Sequence, residues 1–359
     1  MTLARLYPVI KPLLFAMDAE SAHRLTINAL KVIKPTPVTL PDDSSLRVTL
    51  WDRNFPNPIG LAAGFDKNAE VIAPMFGLGF GFVEVGTVTP RPQHGNPRPR
   101  VFRDPASNAV INRMGFPNIG MNKFKTNLEK FLESRPRPAG MVGINIGMNK
   151  SQTDPAKDYC LLVRTLGPFA DYISVNISSP NTPGLRNLQD PEAFLDLTAQ
   201  ILEERTKACG KEMPPPLLVK LAPDLTPDQQ EALAKAALKS GIDGLILGNT
   251  TLSRPDTLSA AFRDQKGGLS GEPLTDKSTD MIRNFYRLTQ GKLPIIGVGG
   301  VSSARDAYDK IRAGASLVQL YSALVFQGPG MVKKATAELA ALLKADGFAH
   351  IQDAVGRGA

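Results

Sequence analysis

The sequence predicts an α/β fold, a closed barrel of eight strand–helix units preceded by a small helical extension. Three observations predict it. Beyond residue 58, short apolar β-branched runs alternate with amphipathic helical segments, eight times in order. The 31 glycines and 30 prolines are scattered between these segments, as many short strand-to-helix turns require, rather than gathered as in a disordered chain. A length of 359 residues with 42% hydrophobic content suits one barrel of about 250 residues with a full core and an appendage.

Residues 1–40 form the appendage. Residues 3–16 place Leu3, Leu6, Val9, Ile10, Leu13, Leu14 and Phe15 among Arg5, Lys11 and prolines. Asp18 then reads as the N-cap of a second helix, 19–33, with Ala22, Leu25, Ala29, Leu30 and Ile33 on one side and Pro35 and Pro37 ending it. Two short amphipathic helices that also carry Arg24, Lys31 and Lys34 fit a lid packed on the barrel. They fit a dock on an anionic bilayer equally well, and the residues alone leave both readings open. Residues 42–57 read as a linker, so the chain divides into 1–40 and a barrel domain of 41–359.

The barrel strands are expected at 59–63, 82–88, 141–146, 172–177, 217–221, 244–247, 294–298 and 317–320. The helices that follow them are expected at 69–76, 119–132, 156–166, 191–209, 227–240, 276–288, from Ser302 or Ser303 to 313, and 331–344. Eight such units in order are the count of a TIM (β/α)8 barrel. A doubly wound open sheet would carry Gly-x-Gly-x-x-Gly after its first strand, and no such motif follows residues 59–63.

The net charge of +8 admits nucleic acid, an anionic membrane surface or anionic substrates as partners. No basic run with interleaved aromatics, helix-turn-helix or zinc-finger signature is present, so no nucleic-acid partner is expected. Cys160, Cys209 and three histidines lack metal-ligand spacing, which argues against a metal site or a histidine-based triad. No stretch has the length of a membrane span, and the N-terminus lacks the cleavage pattern of a signal peptide.

In a barrel every strand's C-terminal end opens on one face. Read off the sequence, those ends hold Lys67, Thr87, Asn145, Asn176, Lys220, Asn249, Thr250, Gly299, Gly300, Tyr321 and Ser322. After the fourth strand, Asn176, Ser178, Ser179, Asn181 and Thr182 cluster without a carboxylate, a composition suited to a polar, planar, anionic ligand. Lys67 and Lys220 converging there would repel one another unless something negative or electron-rich lies between them. Gly297-Val-Gly-Gly300 after strand seven and Tyr321-Ser322 after strand eight occupy the usual phosphate site of such barrels. Gly267-Gly-Leu-Ser-Gly271 adds a second close-approach turn. A phosphorylated cofactor with its ring between the two lysines accounts for these positions together.

Six ordered motifs give the chain a family likeness: Ala62-Ala-Gly-Phe-Asp-Lys67, Asn112-Arg-Met-Gly-Phe116, Asn176 to Arg186, Asn249-Thr-Thr251, Gly267 to Gly271, and Ile295 to Gly300. It resembles the dihydroorotate dehydrogenases, and more narrowly their quinone-dependent, membrane-associated class (class 2). The resemblance implies an FMN-containing barrel that oxidises dihydroorotate to orotate in pyrimidine synthesis and passes electrons to a membrane quinone. It implies peripheral attachment at the cytoplasmic face of the inner membrane and no obligatory protein partner. Carried over residue by residue, FMN would be held by Ala63, Gly64, Lys67, Thr87, Asn145, Asn176, Lys220, Gly271, Gly300, Tyr321 and Ser322. Substrate would be held by Lys67, Asn112, Arg113, Met114, Gly115, Phe116, Asn176, Asn181, Asn249 and Thr250. Ser179 would be the catalytic base, at a position where the soluble classes carry cysteine. Thr182 is placed to relay its proton past Phe116. The chain departs from the family pattern at Leu247-Gly248, where Ala-Thr is expected, so one flavin-contacting hydroxyl is missing.

Overall fold

The fold is that of a computed structural model, which describes residues 3–32, 44–210 and 213–359. Ile33, Lys34, Pro35, Pro37 and the expected boundary at 40/41 lie outside the described residues, as do the side chains of Leu3 and Arg5. Two helices come first, α1 (Leu3–Ala16) and α2 (Ala19–Val32). The Asp18 carboxylate accepts the Ser21 N–H at 2.9 Å and starts α2 as a cap should.

Residues 44–57 are not a linker. They form a hairpin, β1 (Val48–Leu50) and β2 (Arg53–Phe55), that covers the N-terminal end of the barrel. The Trp51 indole donates to the Asp243 carbonyl at 2.8 Å, and Phe55 lies edge-on to Phe82, which lies edge-on to Tyr172. These rings occupy the space that Gly60 and Gly143 leave open. A Cβ on Gly143 would come within 2.0 Å of the Tyr172 ring, and one on Gly60 within 2.3 Å of Phe82.

Eight parallel strands close the barrel in the order β3 (Ile59–Leu61), β4 (Phe82–Val88), β7 (Met141–Ile146), β8 (Tyr172–Asn176), β9 (Leu217–Leu221), β10 (Gly244–Leu247), β12 (Ile295–Val298) and β13 (Leu317–Leu320), which pairs back with β3. Almost every residue in them is fully buried, the pattern expected when both faces of a parallel sheet are covered. The helices between strands are α3 (Ile72–Gly77), α4 (Met121–Glu133), α5 (Pro155–Leu166), α6 (Pro191–Cys209), α7 (Pro227–Ser240), α8 (Ala260–Arg263), α9 (Thr275–Thr289), α10 (Ala304–Arg312), α11 (Ser322–Gln327) and α12 (Met331–Ala345). Thr226 and Gln229 cap α7 reciprocally, and Ser303 rather than Ser302 caps α10.

Two excursions at the C-terminal ends of the strands meet in a second sheet. β5 (Val101–Asp104) and β6 (Ala109–Asn112) follow β4, and β11 (Gly268–Gly271) follows β10; together they make a three-stranded antiparallel sheet in the order β11-β6-β5. This sheet and the two N-terminal helices enclose the barrel mouth.

Candidate active site

The barrel interior carries one carboxylate. Glu84 on β4 is fully buried and accepts hydrogen bonds from Asn145 Nδ2 at 2.7 Å, Gln319 Nε2 at 2.7 Å and the Tyr172 hydroxyl at 3.0 Å. Lys220 on β9 stands 3.7 Å from the same carboxylate. The repulsion expected between Lys67 and Lys220 is therefore relieved on the Lys220 side by a residue of the protein itself. A buried ammonium is tolerable when paired, and Glu84 supplies the pair.

Above this layer sits a chain of side-chain amides. Asn176 Nδ2 donates to Thr87 Oγ1 at 3.0 Å and to Asn145 Oδ1 at 3.1 Å. Ser178 donates its hydroxyl to Asn176 Oδ1 at 3.0 Å and accepts from Asn249 Nδ2 at 2.8 Å. Ser179 is buried, and its Oγ accepts the Asn181 N–H at 3.2 Å. Asn181 in turn donates to the Asn112 carbonyl at 3.2 Å, tying the serine loop to β6. Arg186 ties it to two further loops, donating to the Ser178 carbonyl at 2.9 Å, the Thr250 carbonyl at 3.1 Å and the Asp224 carboxylate at 3.1 Å.

Lys67 has no carboxylate within ion-pair distance among the described residues, and its ammonium donates to the Gly64 carbonyl at 2.6 Å. Burial pushes its pKa down to about 8, and the nearby Arg100 and Arg24 add to the effect against Glu20 and Asp66. Burial pushes the neighbouring His23 down to about 3, with Lys67 reinforcing it, so that imidazole is neutral.

A cavity of about 690 Å³ joins these groups to the gap between α1 and α2. It is lined by Ala63, Gly64, Lys67, Thr87, Asn112, Met114, Gly115, Phe116, Asn176, Ser179, Asn181, Lys220, Asn249, Thr250, Gly271, Gly300, Tyr321 and Ser322, all expected from sequence. Two expected residues do not line it. Asn145 lies one layer deeper, bonded to Glu84 and Thr87. Arg113 turns away, donating to the Lys266 and Pro99 carbonyls and stacking on Phe102. The Gly248 departure has a physical reason, because its φ is +110° and a Cβ there would meet the Val298 carbonyl oxygen at 2.1 Å. Threonine does not fit this backbone.

The outer half of the cavity is apolar and belongs to the extension. Ile10, Leu13, Leu14 and Phe15 line it with Ala22, Leu25, Ala29 and Leu30, whereas Leu6 and Val9 of the same helix do not line it and face outward. Arg103 on β5 was not found from sequence, since a lone arginine in an arginine-rich stretch carries no signal. It anchors the end of α1 by donating to the Leu14, Phe15 and Met17 carbonyls while lying 4.6 Å over the Phe15 ring. Of the basic residues that a bilayer dock would use, the side chain of Arg5 and all of Lys34 lie outside the described residues, while Lys11 donates to the Phe326 carbonyl at 2.7 Å, and Arg24 and Lys31 both pair with Glu70.

The family model described as dihydroorotate dehydrogenase matches residues 45–343. The chain belongs to the dihydroorotate dehydrogenase family. It is 52% identical over 351 residues to the dihydroorotate dehydrogenase (quinone) of Parvibaculum lavamentivorans, covering 98% of each chain. It is 51% identical to the mitochondrial dihydroorotate dehydrogenase (quinone) of Mus musculus, over 98% of this chain and 89% of that one. Among solved structures, dihydroorotate dehydrogenase of Eimeria tenella in complex with ferulenol superposes with a TM-score of 0.90 at 39% identity, covering 94% of this chain and 95% of that one. These relatives place the chain in the quinone-dependent class of dihydroorotate dehydrogenases, as its serine at position 179 and its N-terminal helix pair imply.

Proposed function

We propose that this enzyme oxidises (S)-dihydroorotate to orotate on a bound FMN and hands the electrons to a membrane quinone, as a step of pyrimidine (UMP) synthesis. One observation carries the reading: a single cavity leads from the buried Ser179 to an apolar opening between α1 and α2. A carboxylated ring is served at one end of it and a lipid-soluble acceptor at the other.

The residues present fit FMN. The buried Thr250 Oγ1 and Gln319 Oε1 have no hydrogen-bond partner among the described residues, and both residues line the cavity. Gly299 and Gly300 adopt φ of +117° and +71° and leave a concave turn beside Ser322 that suits a phosphate. Ala63, Gly64, Thr87, Asn176, Lys220, Gly271, Gly300, Tyr321 and Ser322 would hold the cofactor directly, with Asn145 supporting Thr87 and Asn176 from below. When bound, the flavin supplies the hydride acceptor and the relay to quinone.

The chain's own residues do the rest. Asn112, Asn181, Asn249 and the backbone of 114–116 would hold the pyrimidine edge, donating and accepting without adding charge. Lys67 takes the substrate's carboxylate. Ser179 removes the proton from the ring carbon beside the carbonyl, its hydroxyl oriented by the Asn181 N–H. Lys220, held by Glu84, stabilises negative charge that develops over the barrel mouth.

No helix among the described residues is long and apolar enough to cross a membrane. Attachment is peripheral, at the cytoplasmic face of the inner membrane, through the exposed apolar side chains Val9, Leu13, Leu25 and Val32 of the extension. Deleting residues 1–40 tests both halves of the reading. Reduction of a long-chain quinone is expected to be lost while dihydroorotate still bleaches the visible bands of bound flavin. A truncated enzyme that reduces that quinone as fast as the intact one removes the tunnel from the mechanism, and a purified protein without flavin bands removes the cofactor.

A further inference from the structure

Lys310 on α10 is fully buried, and no carboxylate among the described residues pairs with it. Its nearest acidic groups, Asp306, Asp276, Asp309 and Asp280, act on it only at longer range. Burying an ammonium without a salt bridge is costly unless every N–H finds an acceptor. Here all three do. The Nζ donates to the Thr275 carbonyl at 3.1 Å, Ser278 Oγ at 2.7 Å and Thr279 Oγ1 at 2.7 Å, all on the first turn of α9.

The same turn holds the Gly299–Gly300 loop. Ser278 Oγ donates to the Gly299 carbonyl at 2.8 Å, and Thr275 Oγ1 lies 2.8 Å from both the Gly300 and the Glu272 carbonyls, with one proton to share between them. An ammonium can only donate, so it occupies a lone pair of Ser278 Oγ and leaves that hydroxyl's one proton to point elsewhere. The Thr275 carbonyl, 3.0 Å away, already accepts from Lys310 at 3.1 Å and from Thr279 Oγ1 at 2.8 Å, and as a residue of α9 it also takes a helical N–H, so it has no lone pair to spare. The Ser278 proton therefore goes to Gly299. In this way the ammonium sets the direction of the bond that draws the Gly299 carbonyl back onto α9. Both glycines are left-handed, and a Cβ on Gly300 would strike Thr275 at 2.2 Å, so the loop is pressed against this turn with no slack.

We propose that Lys310 is a positioning residue for the flavin phosphate: through Ser278 it fixes the Gly299–Gly300 loop in the form that receives a phosphate monoester. The inference rests on the reading of this loop as the FMN phosphate site. An apolar residue at 310 would bolt α9 to α10 as well, but it would leave the Ser278 hydroxyl free to turn away from Gly299.

A phosphate-specific role and a structural bolt differ in one measurable ratio. Full-length apoprotein is titrated with FMN and, separately, with riboflavin, which has the same ring and no phosphate, and binding is followed by flavin fluorescence. In Lys310→Met, FMN is expected to bind at least about tenfold more weakly, the size of one lost charge-assisted hydrogen bond, while riboflavin binding is unchanged. Ser278→Ala keeps the buried charge and cuts its link to Gly299; it is expected to lower the FMN-to-riboflavin ratio in the same direction, and it decides the matter if Lys310→Met does not fold. An unchanged ratio in both variants, or in Ser278→Ala alone when the other does not fold, overturns the proposal. An intact protein that binds riboflavin as tightly as FMN overturns the phosphate reading beneath it instead.

Discussion

Replacing Glu84 by glutamine isolates the one buried charge pair at the centre of the barrel. The substitution keeps the volume and most hydrogen bonds. Gln319 Oε1 is unpartnered in the structure, so turning that amide over lets it accept from the new side-chain NH2, while the remaining oxygen still faces Asn145. What is lost is the negative charge 3.7 Å from Lys220, whose side chain is 5% exposed. Removing one partner of a buried pair costs about 3–5 kcal/mol, and the lower end applies because the pair is longer than a direct hydrogen bond and opens onto the cavity. At about 2.1 cal/mol/K of unfolding entropy per residue, a chain of this length loses about 1.3 °C in Tm per kcal/mol, so Glu84→Gln is expected to melt about 4 °C lower. Calorimetry on the FMN-saturated protein measures it. The double variant Glu84→Gln with Lys220→Met is expected to recover part of the loss, since it leaves no uncompensated charge. In the single variant the unopposed ammonium also favours reduced, anionic flavin, so the flavin potential moves upward. A Tm within one degree of the parent, or strictly additive effects in the double variant, would refute the pairing argument.

Ser179→Ala is expected to retain flavin and lose about 10²–10⁴-fold in turnover, as read by dihydroorotate-driven flavin bleaching; near-normal rates would remove Ser179 from the proton transfer. Lys67 carries its charge below a pKa pushed down to about 8, and the cation is lost as pH rises through that value. The KM for dihydroorotate is therefore expected to climb about tenfold between pH 7 and pH 9 and to be high and flat in Lys67→Gln. Lys11, Arg24 and Lys31 are engaged within the protein, so vesicle attachment is expected to weaken little between low and physiological salt and to fall sharply in Leu13→Ser with Val9→Ser. A sedimentation assay that shows steep salt dependence would return the attachment to electrostatics.

The barrel was legible in the sequence because parallel strands buried on both faces read as unbroken apolar runs, and β7, β9, β10 and β13 coincide with those runs to the residue. The hairpin was not, because its turn places Trp51 and Asp52 at φ of 53° and 55°, a left-handed pair that normally announces itself with glycine or asparagine. The second sheet was hidden by distance: β6 pairs with β11 about 156 residues later, and a strand reading Gly-Leu-Ser-Gly has no periodicity to detect. At the site, loop residues such as Asn176, Ser179 and Asn249 stood out by type. Glu84 did not, since a single acid in Phe-Val-Glu-Val reads as an outward-facing position until closure of the sheet turns it inward.

Closure also settles which lysine is available to a ligand. Two unopposed ammonium groups at one mouth would each demand an anion, and only the family resemblance, not the residues themselves, assigned Lys67 rather than Lys220 to the substrate. In the fold, Lys220 has Glu84 behind it, so the pair presents little net charge and suits the face of a ring that becomes negative only on reduction. Lys67 hydrogen-bonds the neutral Gly64 carbonyl and feels Glu20 and Asp66 only at longer range, in a setting where burial already disfavours its charge. A permanent anion gains most where the cation is least compensated. On the proposed reading the substrate's carboxylate would therefore sit at Lys67. The amides of Asn112, Asn181 and Asn249 would then be left to read the rest of the proposed pyrimidine ring beside Ser179, since the electrostatic demand of the site is met before they are reached.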